Sequence, residues 1–547
     1  MSDYLFRGSL EDLDPQVQQL VNYEAERQFR KLILIPSEST APKAVREALS
    51  TPFQNIYAEG YPEVGSRWLT EEQILDYEER LPYYRRYSDP RYYKGVDYVN
   101  IVEALARRRC AEAFAANGFN ADDIFVNVQA LSGAPANNAV YHALVKPGET
   151  VMGLNLLHGG HLSHGSPVNR SGKFYNIVHY TVDPETERLD FDQIETLAKE
   201  HKPKMIIAGY SSYPWQVDWE RFRQIADLVG AYLLADISHI SGLVAGGQHP
   251  SPLGYAHVIT STTHKTMCGP RGAIILTTSP LLSRKIDRAV FPGEQGGPHV
   301  NVFAALTLTF KLARTDEFAS LQKQIVLNSK ALASSLEERG FRIPFGGTNT
   351  HIVNLDAKSI TGEDGTSLSG DQAARILDIA GIVVNRNTIP GDRSALNPSG
   401  LRLGTPWISQ RGFDEKATAE IGGLIADVLQ ACKPYRQPSS RRLSQRAKVD
   451  FATLENVKIK TRDLATQASI DYEANKSKYP HFYYLDDTPS TDKDYASYKV
   501  AGENVIEFLN FALTSDIDEL SEGDTQSTSV NLPGETITGS VKRLGDH

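Results

Sequence analysis

Only three cysteines, Cys110, Cys268 and Cys432, occur in 547 residues, and they lie far apart in the chain. That scarcity supports neither a disulfide framework nor a thiolate zinc site, and it fits a reducing, cytoplasmic compartment. No stretch reaches the roughly eighteen continuous apolar residues of a membrane span, so no membrane partner is expected. The first residues, MSDYLFRGSLEDLDPQV, carry acids where a secretory signal would carry a basic start and an apolar run. Positive charge is not in excess either: 57 Lys and Arg against 67 Asp and Glu give a net charge of -10. A nucleic-acid surface is therefore not expected. The basic stretch Arg441 to Lys448 reads as a solvated linker.

A chain this long exceeds the size at which one core stops growing, which predicts two or three domains. Residues 1–50 read as an N-terminal arm, helical over Pro15 to Arg30 and then entering the apolar segment Leu32 to Ile35. Residues 51–335 form a large domain, interrupted at about 63–90 by a polar and aromatic helix-and-loop insertion. Within it, short apolar runs at Ile124 to Val128, Val151 to Leu154, Lys204 to Gly209, Tyr232 to Ala235, Val258 to Thr260 and Ala273 to Leu276 predict strands. Helical stretches separate them. In DWERFRQIADLVG, for example, Phe222, Ile225, Ala226 and Val229 share one face. This pattern predicts an α/β fold with a mostly parallel central sheet. Long helices over 300–337 lead to a smaller α+β domain, 336–433. Residues 434–547 form a turn-rich extension with no assigned role; it is expected to be helical near 499–512 and to end in a hairpin around Pro533-Gly534, the opening of a β domain that need not be complete.

The residues that carry chemistry gather near the predicted strand ends. Asp236 directly follows YLLA, at the carboxyl end of a parallel strand, where open α/β sheets place ligands. An aspartate there can hold a proton on a pyridine nitrogen and make the ring an electron sink. Lys265, after the hydroxyl-rich run Thr260 to His264, can form a Schiff base with pyridoxal 5'-phosphate. Taken singly, each residue has a plain alternative: a helix-capping aspartate and a solvated lysine. Ser132-Gly133-Ala134-Pro135 lies between a strand and a helix, where free amides can bind a phosphate. FPGEQGGP (291–298) is by itself a loop. His158 lies in a glycine-rich segment fit to rest against a flat cofactor. His158, His161 and His164 recur every third residue, but no acid or cysteine completes a metal site, and none is expected. Arg402, in a short apolar strand, suits a substrate carboxylate, with an internal ion pair as the alternative.

With these residues assembled, the chain from about Leu32 to Lys433 resembles the serine hydroxymethyltransferase family, of the fold type shared with aspartate aminotransferase. The resemblance rests on IPSES (35–39), NIYAEGYP (55–62), RYYKG with DYV (91–99), LSGAPAN (131–137), HGGHLSHGSPVNRSGK (158–173), LLADISHISGLVAGG (233–247), TSTTHKTMCGPRG (260–272), FPGEQGGP and SGLRLGTP (399–406). It implies pyridoxal 5'-phosphate held covalently on Lys265 and tetrahydrofolate as co-substrate for interconverting L-serine and glycine. Residue by residue, it implies that Asp236 meets the ring nitrogen, His158 stacks on the ring, His239 supports the phenolic oxygen and His264 sits beside the lysine. Ser132, Gly133 and Ser211 shape the cofactor pocket. Arg402 and Ser37 hold the substrate carboxylate, and Asn387 lies near the pterin. Tyr57, Glu59 and Tyr93 approach from a partner chain, as do Gly296 and Gly297 toward the phosphate. A homodimer with shared active sites is implied, and pairing into tetramers is left open.

Three features depart from the family pattern: the insertion between Pro62 and Arg91, Ala134 where a phosphate-binding serine is common, and the extension after Lys433. The lost hydroxyl at Ala134 removes about 1 kcal/mol of hydrogen bonding and not the site. Because the insertion splits two partner-chain motifs, a folate-independent β-hydroxy-amino-acid aldolase and an α-methylserine hydroxymethyltransferase stay open as alternatives. A non-catalytic binding module would be expected to lose Lys265 or Arg402, and both are present.

Overall fold

The computed structural model describes residues 6–87, 90–438, 443–468, 498, 500, 504–532 and 535–544. Near the N-terminus, Asp14 caps helix Pro15–Arg30 by accepting the Val17 amide, with Pro15 in the first turn where no amide is needed. Strand β1, Leu32–Ile33, follows at once.

The large sheet has seven strands: β2 Phe125–Asn127, β3 Thr150–Leu154, β4 Asn176–Tyr180, β5 Met205–Ala208, β6 Tyr232–Asp236, β7 Val258–Thr262 and β8 Ala273–Thr277, in the order β2-β8-β7-β6-β5-β3-β4. Its strands are parallel apart from β8, which runs antiparallel to both neighbours. β5, β7 and β8 are buried along their whole length, so their sequences read as unbroken apolar or hydroxyl runs. Helix Trp219–Val229 turns Phe222, Ile225 and Ala226 into the core, each fully buried; the two larger side chains contribute roughly 1.5–3 kcal/mol apiece. A consequence of this topology is that the segments after β2, β3, β5, β6 and β7 all leave from one edge of the sheet. The crowding there is tight: a Cβ on Gly209, after β5, would sit 2.1 Å from the Asp236 carbonyl oxygen.

A second, antiparallel sheet contains β9 Ile352–Asp356, β11 Asn385–Asn387 and β12 Gly400–Gly404, with β12 in the middle. β1 pairs in parallel with β10, Ile382–Val383. The core beneath them collects Leu32 and Leu34 from the N-terminal segment and Leu332 and Leu336 from helix Asp316–Glu338. It also takes in Val457 and Ala465 of helix Phe451–Gln467, within the expected extension. Arg411, fully buried, ties these parts together by donating to the carbonyls of Phe29, Lys31 and Ala465. The helix ends Phe29 and Ala465 are the negative ends of two dipoles, which suits a guanidinium.

The basic stretch after Arg441 is not a linker: β14, Leu443–Val449, pairs antiparallel with β13, Cys432–Pro438. Residues 441 and 442 lie outside the described residues. The expected hairpin is present as β15, Thr525–Leu532, paired with β16, Glu535–Lys542; its turn, Pro533-Gly534, lies outside the described residues. The helix expected over 499–512 is found as Val505–Ala512, with 499 and 501–503 outside them.

The insertion folds as a 3-10 turn, Val64–Trp68, and helices Glu71–Ile74 and Tyr77–Tyr87. Ile74 and Tyr84 pack against Ile101, Ala104 and Leu105 on the outer face of helix Asp97–Phe114. Its two ends meet in a closed neck. The Arg91 guanidinium, fully buried, pairs with buried Glu103 and donates to the carbonyls of Ala58 at 2.8 Å and Gly60 at 3.0 Å. The Tyr92 amide donates to the Glu59 carbonyl at 3.1 Å.

Candidate active site

Asp236, at the end of β6, is buried. Its Oδ2 accepts from Asn137 Nδ2 and meets His164 Nε2, each at 2.9 Å, and its Oδ1 accepts the Ser238 amide at 3.1 Å. Burial alone would raise its pKa; the His164 hydrogen bond and charge, helped by His161 and Ser238, hold it well below the usual carboxylate range. An ionised carboxylate has about four acceptor positions, so Oδ1 retains one for a further donor.

Lys265 is buried, and its pKa is lowered to about 8, first by burial and then by Arg402 and Arg271, against the attraction of Asp236. Near neutral pH a useful fraction of the amine is therefore uncharged and nucleophilic. The loop is fixed from both sides: the Thr266 hydroxyl donates to the His239 carbonyl at 2.9 Å, and the Cys268 amide to the Lys265 carbonyl at 2.9 Å. His264 is lowered to about 3 by burial, Arg271 and Lys265, and its carbonyl accepts from Ser39.

Arg402 occupies the central strand β12, with Asn354 and Asn385 as its cross-strand partners. Its Nε donates to Asn385 Oδ1 at 3.1 Å and one terminal nitrogen to the Ser211 carbonyl at 2.6 Å. Burial lowers its pKa to about 10, and among the described residues no carboxylate forms an ion pair with it. The internal ion pair is thus not found among the described residues. A guanidinium with open donors lies near enough to Lys265 and His161 for its charge to act on both. Ser37 lies in the turn after β1, half-buried. Asn387, opposite Gly400 across β11 and β12, donates to the Thr388 carbonyl.

The edge of the sheet also supplies an anion cradle. Helix Gly133–Leu144 begins at Ser132, whose side chain is exposed and does not cap it. A Cβ on Gly133 would come within 2.8 Å of Thr262, so glycine is needed for the helix to approach β7.

The histidines of this segment lie in different surroundings. His158 Nδ1 accepts the Val182 amide at 3.2 Å, and the charge acting on it is Glu187. His161 is the ring turned inward: it lies 5.4 Å from the His164 ring, and burial together with His164, Lys265 and Arg402, against the pull of Asp236, brings it to about 4. Between the two rings the chain turns through Gly159, with φ of 104°. Asn137, His164 and His351 were missed as site residues. Asn137 and His164 reach Asp236 from distant segments, and no local pattern marks that contact. Among the described residues, no group of three or more His, Cys, Asp or Glu is arranged to hold a metal ion.

A second cluster forms apart from this pocket. Tyr57 and Tyr93 rings lie 4.9 Å apart, the Tyr57 hydroxyl is 3.5 Å from Glu59, and both are near Gly296 and Gly297, where a Cβ on Gly297 would strike the Tyr57 ring. The Tyr93 pKa is raised, first by burial and then by Glu59, which keeps it a neutral donor. The glycine loop is clamped by Glu294, which pairs with Arg170 and His142.

A mostly parallel sheet with a lysine of lowered pKa and an ionised aspartate along its carboxyl edge, and beside them an arginine from the second sheet with no ion pair among the described residues, belongs to a pyridoxal-phosphate-dependent enzyme of the aspartate-aminotransferase fold type. A sequence model described as serine hydroxymethyltransferase matches residues 10–89 and 82–425. The chain belongs to the serine hydroxymethyltransferase family, whose chemistry interconverts serine and glycine with tetrahydrofolate. The two matched pieces overlap at 82–89, inside the insertion. The residues present fit the cofactor: Asp236 has an open acceptor, and Gly133 leaves a helix start free beside Thr262. No helix among the described residues is long and apolar enough to cross a membrane.

Proposed function

We propose that this enzyme reversibly transfers the hydroxymethyl carbon of L-serine to tetrahydrofolate, giving glycine and 5,10-methylenetetrahydrofolate, with pyridoxal 5'-phosphate held covalently on Lys265. The observation that carries this reading is the open Arg402 fork beside a lysine of lowered pKa and an ionised aspartate. When bound, the cofactor supplies an electron sink for cleavage next to the amino-acid α-carbon. Asp236 holds the proton of the ring nitrogen, and His161, in place of His158, packs against the ring. Ser132 and Gly133 offer the helix start to the phosphate, while Ser211 fixes Arg402 through its carbonyl. Arg402 and Ser37 bind the substrate carboxylate, and Asn387 borders the folate. His239 and His264 stay neutral beside Lys265 and add no further cation to the lysine, Arg402 and Arg271.

The active unit is a homodimer. Tyr57, Glu59, Tyr93, Gly296 and Gly297 form one cluster with no described contact to Asp236 or Lys265, which suits delivery to a second protomer's site. There Glu59 and Tyr93 handle protons at the substrate hydroxyl. A cytoplasmic setting suits three buried cysteines that form no disulfide.

The test is glycine formation from L-serine by the purified holoenzyme with and without tetrahydrofolate. Dependence on tetrahydrofolate is expected. Equal rates without it would replace this reading with a folate-independent aldolase.

A further inference from the structure

β2 is the last strand at one edge of the seven-stranded sheet, and the chain runs on from it through Gln129, Ala130 and Leu131 before helix Gly133–Leu144 begins. In an extended strip, successive residues turn their peptide groups to opposite sides. The Ala130 carbonyl accepts the Ala273 amide, at the start of β8, at 3.0 Å. The Leu131 amide and the Gln129 carbonyl turn the other way, to the side where, among the described residues, no strand pairs with β2. Unpaired groups at such an edge need partners. One side chain supplies both: Gln295 Oε1 accepts the Leu131 amide at 3.1 Å, and Gln295 Nε2 donates to the Gln129 carbonyl at 2.7 Å. A carboxamide holds a donor and an acceptor in one plane, as a peptide group does, and two backbone partners of fixed polarity leave it a single orientation.

This brace is anchored at both ends. The Gln295 amide donates to the Val290 carbonyl at 2.9 Å, and the preceding Glu294 is held by Arg170 and His142. On the strip, Gln129 Nε2 donates to the Gly60 carbonyl at 2.9 Å and to Glu103 Oε1 at 3.0 Å. Leu131 is exposed; the hydrogen bond from its amide to Gln295 tethers the chain immediately ahead of Ser132 and Gly133. On the other flank Gln295 runs directly into Gly296 and Gly297, which lie against Glu59 and Tyr57. A single side chain thus ties the helix start to the glycine loop.

We propose that Gln295 is a positioning residue for the cofactor phosphate: its brace on Gln129 and Leu131 holds the Ser132-Gly133 helix start where its amides meet the anion. A helix start binds an anion through backbone amides, which have no side-chain rotamer to correct for drift of the chain before them. The effect therefore falls on the phosphate and not on the pyridine ring. In the homodimer the same side chain ties one protomer's cradle to the loop that serves the second protomer's site, so a variant loosens both halves of each site. This role rests on reading Ser132 and Gly133 as the phosphate cradle.

The test compares two ligands of the cofactor-free enzyme: pyridoxal 5'-phosphate, and pyridoxal, which lacks the phosphate. Gln295→Met keeps the length of the side chain and removes both hydrogen bonds. Its affinity for pyridoxal phosphate is expected to fall about tenfold and that for pyridoxal by less than about threefold. Gln295→Glu keeps the acceptor for Leu131 but sets a carboxylate against the Gln129 carbonyl, and a larger loss confined to pyridoxal phosphate is expected. Unchanged pyridoxal phosphate affinity in either variant, or equal losses for the two ligands, overturns the proposal. Amide hydrogen exchange of the cofactor-free protein is an independent measurement: Leu131 is expected to be protected in the wild type and to exchange about tenfold faster in Gln295→Met. A Leu131 amide that exchanges freely in the wild type overturns the proposal even where a variant fails to fold. If the wild type takes up no pyridoxal phosphate, the reading of the site fails; if it does and the variants match it, the proposal alone fails.

Discussion

Replacing Arg402 by alanine should raise KM for L-serine about a hundredfold. Two of its five N–H donors are committed, to Asn385 and to the Ser211 carbonyl, and the rest are open for a carboxylate. Burial lowers its pKa to about 10, a depression worth roughly 3 kcal/mol that a bound anion can relieve. Two charge-assisted hydrogen bonds at the low end of their range also give about 3 kcal/mol. The two routes agree on a factor of about 100. Arg402→Lys keeps the charge but loses the planar fork, so an effect of about tenfold is expected. Steady-state rates at saturating tetrahydrofolate measure both, and equilibrium binding of glycine should show the same loss because glycine carries the same carboxylate. A KM within about threefold of wild type for Arg402→Ala, or a fall in kcat with KM unchanged, would refute the assignment.

Acid should unfold the protein steeply. His161 and His249 are brought to about 4, and His264 and His351 to about 3. Between the ordinary histidine value and about pH 4 the unfolded chain binds these protons and the folded one does not, so stability falls as pH falls through that window. With His239, which burial brings well below its ordinary value, five such groups make the slope about 7 kcal/mol per pH unit, and urea unfolding at pH 7, 6 and 5 checks it; the slope of a single group would count against buried neutral histidines. Lys265 is protonated in both states below about pH 8, where its burial is unfavourable, and the penalty is relieved as pH rises toward 10.5. Cofactor-free Lys265→Met should therefore gain roughly 3 kcal/mol at pH 7 and lose that gain above about pH 10, as chemical denaturation at the two pH values would show. Deleting 64–89 should lower the melting temperature by exposing Ile101 and Leu105 while leaving KM for serine within about threefold; a tenfold loss of kcat would tie the insertion to catalysis.

The strands that place the site were legible because burial on both faces writes a continuous apolar run, as in MIIA and YLLA. β4, NIVHY, was not read, because its exposed and half-buried positions carry polar residues that break such a run. Lys265, Asp236 and Arg402 each show locally, at a strand end or in an apolar strand. What stayed hidden depends on contacts between distant segments. His164 and Asn137 reach Asp236 through the packing of three chain segments, and His351 looks in sequence like the start of an apolar strand. That His161 lies beside the His164 ring and feels Lys265 and Asp236 depends on packing that periodicity does not encode. β14 was misread because a basic run looks solvated whether or not its backbone is paired.

The neck closed by Arg91 makes the junction between Pro62 and Arg91 a natural grafting port. Its geometry is set by Glu103 and by the carbonyls of Ala58 and Gly60, none of which belongs to the chain passing through it. A reporter domain or a second enzyme spliced there in place of 64–89 would emerge close to Tyr57 and Glu59 yet transmit no strain to them. That position would suit a sensor of dimer assembly or a fused supplier of folate.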